Sequence, residues 1–122
     1  GKFDVDPKTV EFWKKNKEAY QGLLSDRVHI KTALQNFTQW AAKNGTVVYW
    51  CNGMNFDFPI IEWACIELEV KLPWKYYNMR DTRTIYKLAD INTKTGKHRV
   101  GEPHNALDDC ISQVNFLKEA LT

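Results

Sequence analysis

Four uninterrupted apolar positions, Val47-Val48-Tyr49-Trp50, stand between two stretches of helical periodicity. A run of β-branched and aromatic residues bounded by turn formers predicts a buried strand over 46–51. Upstream, Asp6-Pro7 opens a helix, with Asp6 as cap and Pro7 at the first helical position. Val10, Trp13, Lys17 and Tyr20 follow at helical spacing, with Phe12 beside them, and Gly22 ends the run. Ser25-Asp26 begins a short polar link. A second amphipathic helix is predicted over 29–44, with Ile30, Ala33, Leu34, Phe37 and Ala41 on one face and Trp40 adjoining. Asn44-Gly45 supplies a left-handed stop.

Beyond the strand, Asn52-Gly53 signals a turn, and Pro59 suits the first turn of a helix running to about residue 70. Leu72-Pro73-Trp74 breaks that helix. Residues 76–80 suit a short strand leading to Asp81, an N-cap for a helix over 82–89. The polar, charged stretch 90–103 reads as a loop. The last helix is predicted over 106–121, with Ala106, Leu107, Cys110, Val114, Leu117 and Leu121 as its buried stripe.

This order of elements predicts an α/β fold. Val47 to Trp50 is apolar on both faces, which suits a central strand covered by helices on both sides. Such a strand needs a neighbour at each edge, because buried backbone N–H and C=O groups must be paired. The chain offers one weak candidate, so partner strands are expected before Gly1 or from another chain. The start, Gly1-Lys2-Phe3-Asp4-Val5-Asp6, lacks Met and reads like the interior of a longer protein.

Composition narrows the class further. A chain of 122 residues makes one domain, and 43% hydrophobic with 26% charged residues is ordinary for a globular protein. A net charge of +2 neither demands nor repels an anionic partner. Cys51, Cys65 and Cys110 have no paired metal spacing and lie in predicted strand or helices, so reduced, buried thiols in a cytoplasmic protein are expected. No apolar run approaches a membrane span, and no membrane partner is expected.

Two stretches hold candidate chemistry. Asp57 sits where the strand turns into the next helix, as a helix cap or as a functional carboxylate. In Pro103-His104-Asn105-Ala106-Leu107-Asp108-Asp109, Asn105 can cap the last helix and Asp108 fits its first turn. Asp109 then points about 100° around the helix from Asp108, at the edge of the predicted stripe. His104 precedes the cap on a loop, and histidine is the side chain best able to take a proton near neutral pH.

Together these stretches resemble the DEDDh (DnaQ-like) 3′–5′ exonucleases: Asn52-Gly53-x-x-Phe56-Asp57 after a buried strand, then His104-x-x-x-x-Asp109 entering the last helix. Asp81-Thr82-x-x-Ile85-x-x-Leu88-Ala89 resembles that family's intervening helix opening. Pro73-Trp74 before Asn78-x-Arg80-Asp81, and Val10-x-Phe12-Trp13, are similar to its compact phage and prophage branch, described as exodeoxyribonuclease VIII-like or as small 3′–5′ exoribonucleases. The family's first motif, Asp-x-Glu, is absent. Asp4-x-Asp6 is the nearest match, but it lies against the first helix and is rejected as a substitute.

The resemblance implies that residues 1–122 are the C-terminal part of a single ribonuclease-H-like, three-layer α/β exonuclease domain whose N-terminal strands lie outside this chain. It implies metal-dependent release of nucleoside 5′-monophosphates from the 3′ ends of DNA or RNA, the segment alone being inactive. Two Mg2+ or Mn2+ ions would serve the complete enzyme, with Asp57 and Asp109 as two of four carboxylate ligands, since hard cations want oxygen donors. His104 would be the general base, on a loop that closes over bound substrate, and Asp108 would serve helix capping. Asn55, Phe56 and Met54 would contact the terminal nucleotide, unless Phe56 anchors the turn in the core. Lys94, Lys97, His98 and Arg99 would steer a phosphate backbone or form a solvated loop. Expected partners are single-stranded or 3′-overhang nucleic acid and either a second copy or the missing N-terminal segment. The rival readings are a non-catalytic nucleic-acid-binding or assembly module and a plain structural α/β domain.

Overall fold

A computed structural model describes residues 4–122 of the chain. The reading of the start therefore falls partly outside the described residues, at positions 1–3. Among the described residues, six helices and two short strands follow in order: α1 (Pro7–Lys15), α2 (Lys17–Leu23), α3 (Ile30–Lys43), β1 (Tyr49–Cys51), α4 (Asp57–Glu67), β2 (Met79–Asp81), α5 (Thr82–Leu88) and α6 (Ala106–Leu121). Single 3-10 turns occupy Tyr76–Asn78 and Thr93–Thr95. No helix among the described residues is long and apolar enough to cross a membrane.

The caps explain most boundaries. Asp6 accepts the Lys8 N–H at 2.8 Å and opens α1, Asp81 accepts the Arg83 N–H at 2.9 Å and opens α5, and Asn105 accepts the Asp108 N–H at 3.1 Å and opens α6. The predicted first helix breaks at Asn16, whose side chain donates back to the Phe12 carbonyl; Gly22 lies inside α2 and stops nothing. Three helices end in the same way. Gly45, Glu69 and Asp90 each take positive φ after α3, α4 and α5, and the following N–H returns to a carbonyl five residues back: Thr46 to Ala41, Val70 to Cys65, Ile91 to Tyr86.

β1 and β2 run parallel, pairing Tyr49 with Met79, Trp50 with Arg80 and Cys51 with Asp81. One face of β1 is covered. Tyr49 and Cys51 are buried with Ala41 of α3, Phe58 of α4 and Trp74, flanked by Phe37, Ile61, Leu72 and Met79. Trp74 is the hub: its ring meets Phe58 at 4.9 Å and Tyr49 at 5.3 Å, and its indole N–H donates to Glu62 at 2.9 Å. A second, smaller cluster joins α5 to α6, where Tyr86 packs on Phe116 and its hydroxyl donates to the Gln113 carbonyl at 2.7 Å.

The opposite face of β1 is open. Val48 and Trp50 are 40% and 42% exposed, so the strand is not covered on both sides as its composition predicts. α6 departs from expectation in the same sense. Its buried positions are Ser112 and Phe116, whereas Leu107, Val114 and Leu121 of the predicted stripe, together with Ile111, are exposed. These residues alone form a mixed α/β unit with mostly helices and a two-stranded parallel sheet. Apolar surface that the pattern assigns to a core lies outside.

Candidate active site

The parallel pairing of Cys51 with Asp81 brings the C-terminal ends of β1 and β2 together, and the turn after β1 is built there. Asp81 does more than cap α5. Its carboxylate also accepts the N–H groups of Gly53 at 3.0 Å and Met54 at 3.1 Å, while Thr82 donates to the Asn52 side chain at 3.0 Å. Gly53 has φ +107, where L side chains are strained, and a Cβ there would lie 3.3 Å from the Arg83 guanidinium. A clamp of one carboxylate and one hydroxyl thus fixes the turn that delivers Asp57.

Asp57 is the first residue of α4, behind Phe56, and that helix has no side-chain cap. Capping therefore does not account for Asp57, whose side chain is exposed. Phe56 is 66% exposed and does not anchor the turn in the core; Met54 and Asn55 are exposed beside it.

α6 docks on α5 through the contacts of Tyr86 with Phe116 and Gln113. The Cys51 thiol is pushed up to about 11 by burial first, and then by the negative charge of Asp57. The Cys110 thiol is also raised, by desolvation first and then by Asp109 and Asp57. Asp57 and Asp109, 52 positions apart in sequence, thus bear on the same sulfur. Cys51 and Cys65 are the buried free thiols, whereas Cys110 is exposed, contrary to the sequence expectation.

Residues 98–104 form a strap along α6. Val100 donates its N–H to the buried Ser112 hydroxyl at 3.0 Å, and Ser112 donates in turn to the Asp108 carbonyl at 2.8 Å. The Asp108 carboxylate accepts the Glu102 N–H at 2.9 Å, close against Gly101, whose Cβ would collide with it. Asp108 therefore pins the strap in addition to standing in the first turn of α6. Arg99 pairs with Asp109 at 3.0 Å, and Lys97 and His98 both pair with Glu119. Three of the four basic residues expected to steer a phosphate backbone thus face carboxylates of α6. Lys94 stands apart, in the 3-10 turn after Asn92.

His104 stands at the end of this strap with φ +66, a left-handed conformation that costs a non-glycine residue about 1–2 kcal/mol. Its ring lies edge-on to Phe12 of α1, centroids 4.8 Å apart. Among the described residues, His104 makes no hydrogen bond or ion pair with Asp57 or Asp109, and Asp109 is paired with Arg99. Among the described residues, no three His, Cys, Asp or Glu side chains converge as a metal site would require. Two carboxylates fit a hard cation in kind but supply only part of a ligand set. Beyond the helix cap and the steering role that the sequence suggests for them, Asp81 acts as a clamp and Arg99 as the partner of Asp109. Spacing signals neither, because both contacts cross between elements.

The chain matches the profile of a family described as the 3′-5′ exoribonuclease Rv2179c-like domain, over residues 2–121. It belongs to that family. No curated protein and no solved structure gives a match. The Rv2179c-like match takes in the strand–turn–helix around Asp57, the strap and α6.

Proposed function

We propose that this chain is the C-terminal part of a DEDDh-type 3′–5′ exonuclease domain that removes nucleoside 5′-monophosphates from the 3′ ends of RNA. The family match over residues 2–121 carries the reading, with Asp57 at the start of α4, behind the clamped turn, and Asp109 in the first turn of α6. RNA is preferred to DNA on the family's description. Asp57 and Asp109 would hold Mg2+ or Mn2+, which when bound would stabilise the attacking and leaving oxygens of the phosphodiester. Arg99 would have to release Asp109 for that role. His104 would take the proton of the attacking water at a ring nitrogen, after leaving Phe12 as substrate enters. Met54, Asn55 and Phe56, exposed on a fixed turn, would contact the terminal nucleotide.

The open faces of β1 and α6 support the structural half of the proposal. A ribonuclease-H-like sheet would continue from the free edge of β1, and the strands that extend it would bring the missing Asp-x-Glu carboxylates. Upstream chain or a second copy would provide them.

The test is digestion of 5′-labelled RNA in Mg2+ or Mn2+. These residues alone should leave the RNA intact; joined to an upstream strand bearing Asp-x-Glu, they should shorten it from the 3′ end. Asp57→Asn, Asp109→Asn and His104→Ala should each abolish shortening. Robust digestion by the isolated chain would show that its own residues complete the site. A completed domain that never digests would favour a non-catalytic nucleic-acid-binding module.

A further inference from the structure

The turn before β2 presents two tyrosines to solvent: Tyr76 is 87% exposed and Tyr77 is 54% exposed. Their rings meet edge to face at 5.1 Å, and the Lys75 ammonium stands 5.8 Å over the Tyr77 ring. Arg80 folds back so that its guanidinium donates to the carbonyls of Tyr77 at 2.8 Å and Met79 at 3.0 Å. The turn is held from both sides, by buried Trp74 before it and by the pairing of β2 with β1 after it. The backbone that presents both rings is therefore fixed.

The segment that contains them carries charge of one sign. The segment Lys71-Leu72-Pro73-Trp74-Lys75-Tyr76-Tyr77-Asn78-Met79-Arg80 contains three cations and no carboxylate. Exposed rings flanked by cations match the chemistry of an unpaired polynucleotide, whose bases stack and whose phosphates attract Lys and Arg. The surface also connects to the candidate site. β2 starts at Met79, two residues after Tyr77, and reaches Asp81, the clamp on the Asp57 turn, over about 7 Å at a strand rise of about 3.3 Å per residue. We infer that Tyr76 and Tyr77, with Lys75 and Arg80, form a landing surface for single-stranded RNA upstream of the 3′ end. The inference rests on the exoribonuclease reading for the identity of its ligand.

Fluorescence anisotropy of a 5′-labelled oligoadenylate of about 12 nucleotides, within the span such surfaces cover, tests it in EDTA, where no digestion occurs. Replacing both tyrosines (Y76A with Y77A) should weaken binding on the order of tenfold or more, and replacing both by Phe should retain it. Lys75→Glu should weaken it too, and so should added salt. Equal binding by the double alanine variant, equal affinity for a duplex, or no binding by the unaltered protein would overturn the inference. So would a tyrosine-dependent self-association, seen in sedimentation, with oligonucleotide binding unchanged. Tyrosine-dependent binding by a completed domain that never digests would break the nuclease reading and leave this surface standing.

Discussion

The two faces of β1 have nearly the same composition and opposite surroundings. Tyr49 and Cys51 sit in the Trp74 core, while Val48 and Trp50, the alternate residues, meet solvent. Alternation in a strand sends successive side chains to opposite faces, so one short run can belong to a core on one side and to an interface on the other. α6 repeats the contrast: Phe116 is buried against Tyr86, and Ile111 and Val114 point away. Apolar character shows that a residue is suited to burial. What buries it depends on which neighbours the chain supplies.

The comparison breaks most readily at its covered side. Trp74→Ala should cost about 3–5 kcal/mol of unfolding free energy, because Phe58, Tyr49 and Phe37 would line the cavity left behind. Urea denaturation checks this; a loss under about 1 kcal/mol would mean that the core is not organised on Trp74. Asp81→Ala comes next, since it removes the acceptor for the Gly53, Met54 and Arg83 N–H groups. About 2 kcal/mol is expected from groups left unpaired and a cap lost. Amide exchange at Gly53 and Met54 should accelerate with it.

On the open side the expected effects are small in stability. Trp50→Lys and Ile111→Lys should each change the unfolding free energy by no more than about 0.5 kcal/mol. Self-association or pairing with an added N-terminal segment, measured by sedimentation, should fall sharply in both. A loss of several kcal/mol from the isolated chain would show that these faces are covered from within. The smallest effect concerns the strap. The hydrogen bond from His98, and then that from Lys97, hold the Glu119 carboxyl below its ordinary value. A carboxyl so depressed favours the fold above its unfolded pKa, and the benefit is lost as pH falls through the folded value. A Glu119→Gln variant should therefore show a flatter loss of stability in acid, detectable as converging melting temperatures at low pH.

Much of the chain follows from local chemistry. Asp6, Asp81 and Asn105 each offer a side-chain acceptor to the N–H two or three residues on, and each opens a helix where the sequence predicts one. Gly45 closes α3 as expected because glycine accepts positive φ without penalty. Glu69 and Asp90 make the same stop with residues that carry no such mark, so α4 ends at Glu67 instead of running to about residue 70. Asp57 and Asp109 likewise stand at the openings of helices, where the sequence places them.

Tertiary structure decided the rest, because it sets which distant groups meet. No spacing announces that Asp81 reaches back to Gly53, that Arg99 lies on Asp109, or that His104 rests on Phe12. The buried stripe of α6 was misassigned because its helix is apolar on more than one face, and periodicity cannot rank faces that are all apolar. α5 settled the matter by docking against Phe116 through Tyr86, which turned Leu107, Ile111 and Val114 outward. The hydrophobic effect is non-directional, so a pattern can specify how much surface seeks cover; only the arrangement of the other elements specifies where cover is found.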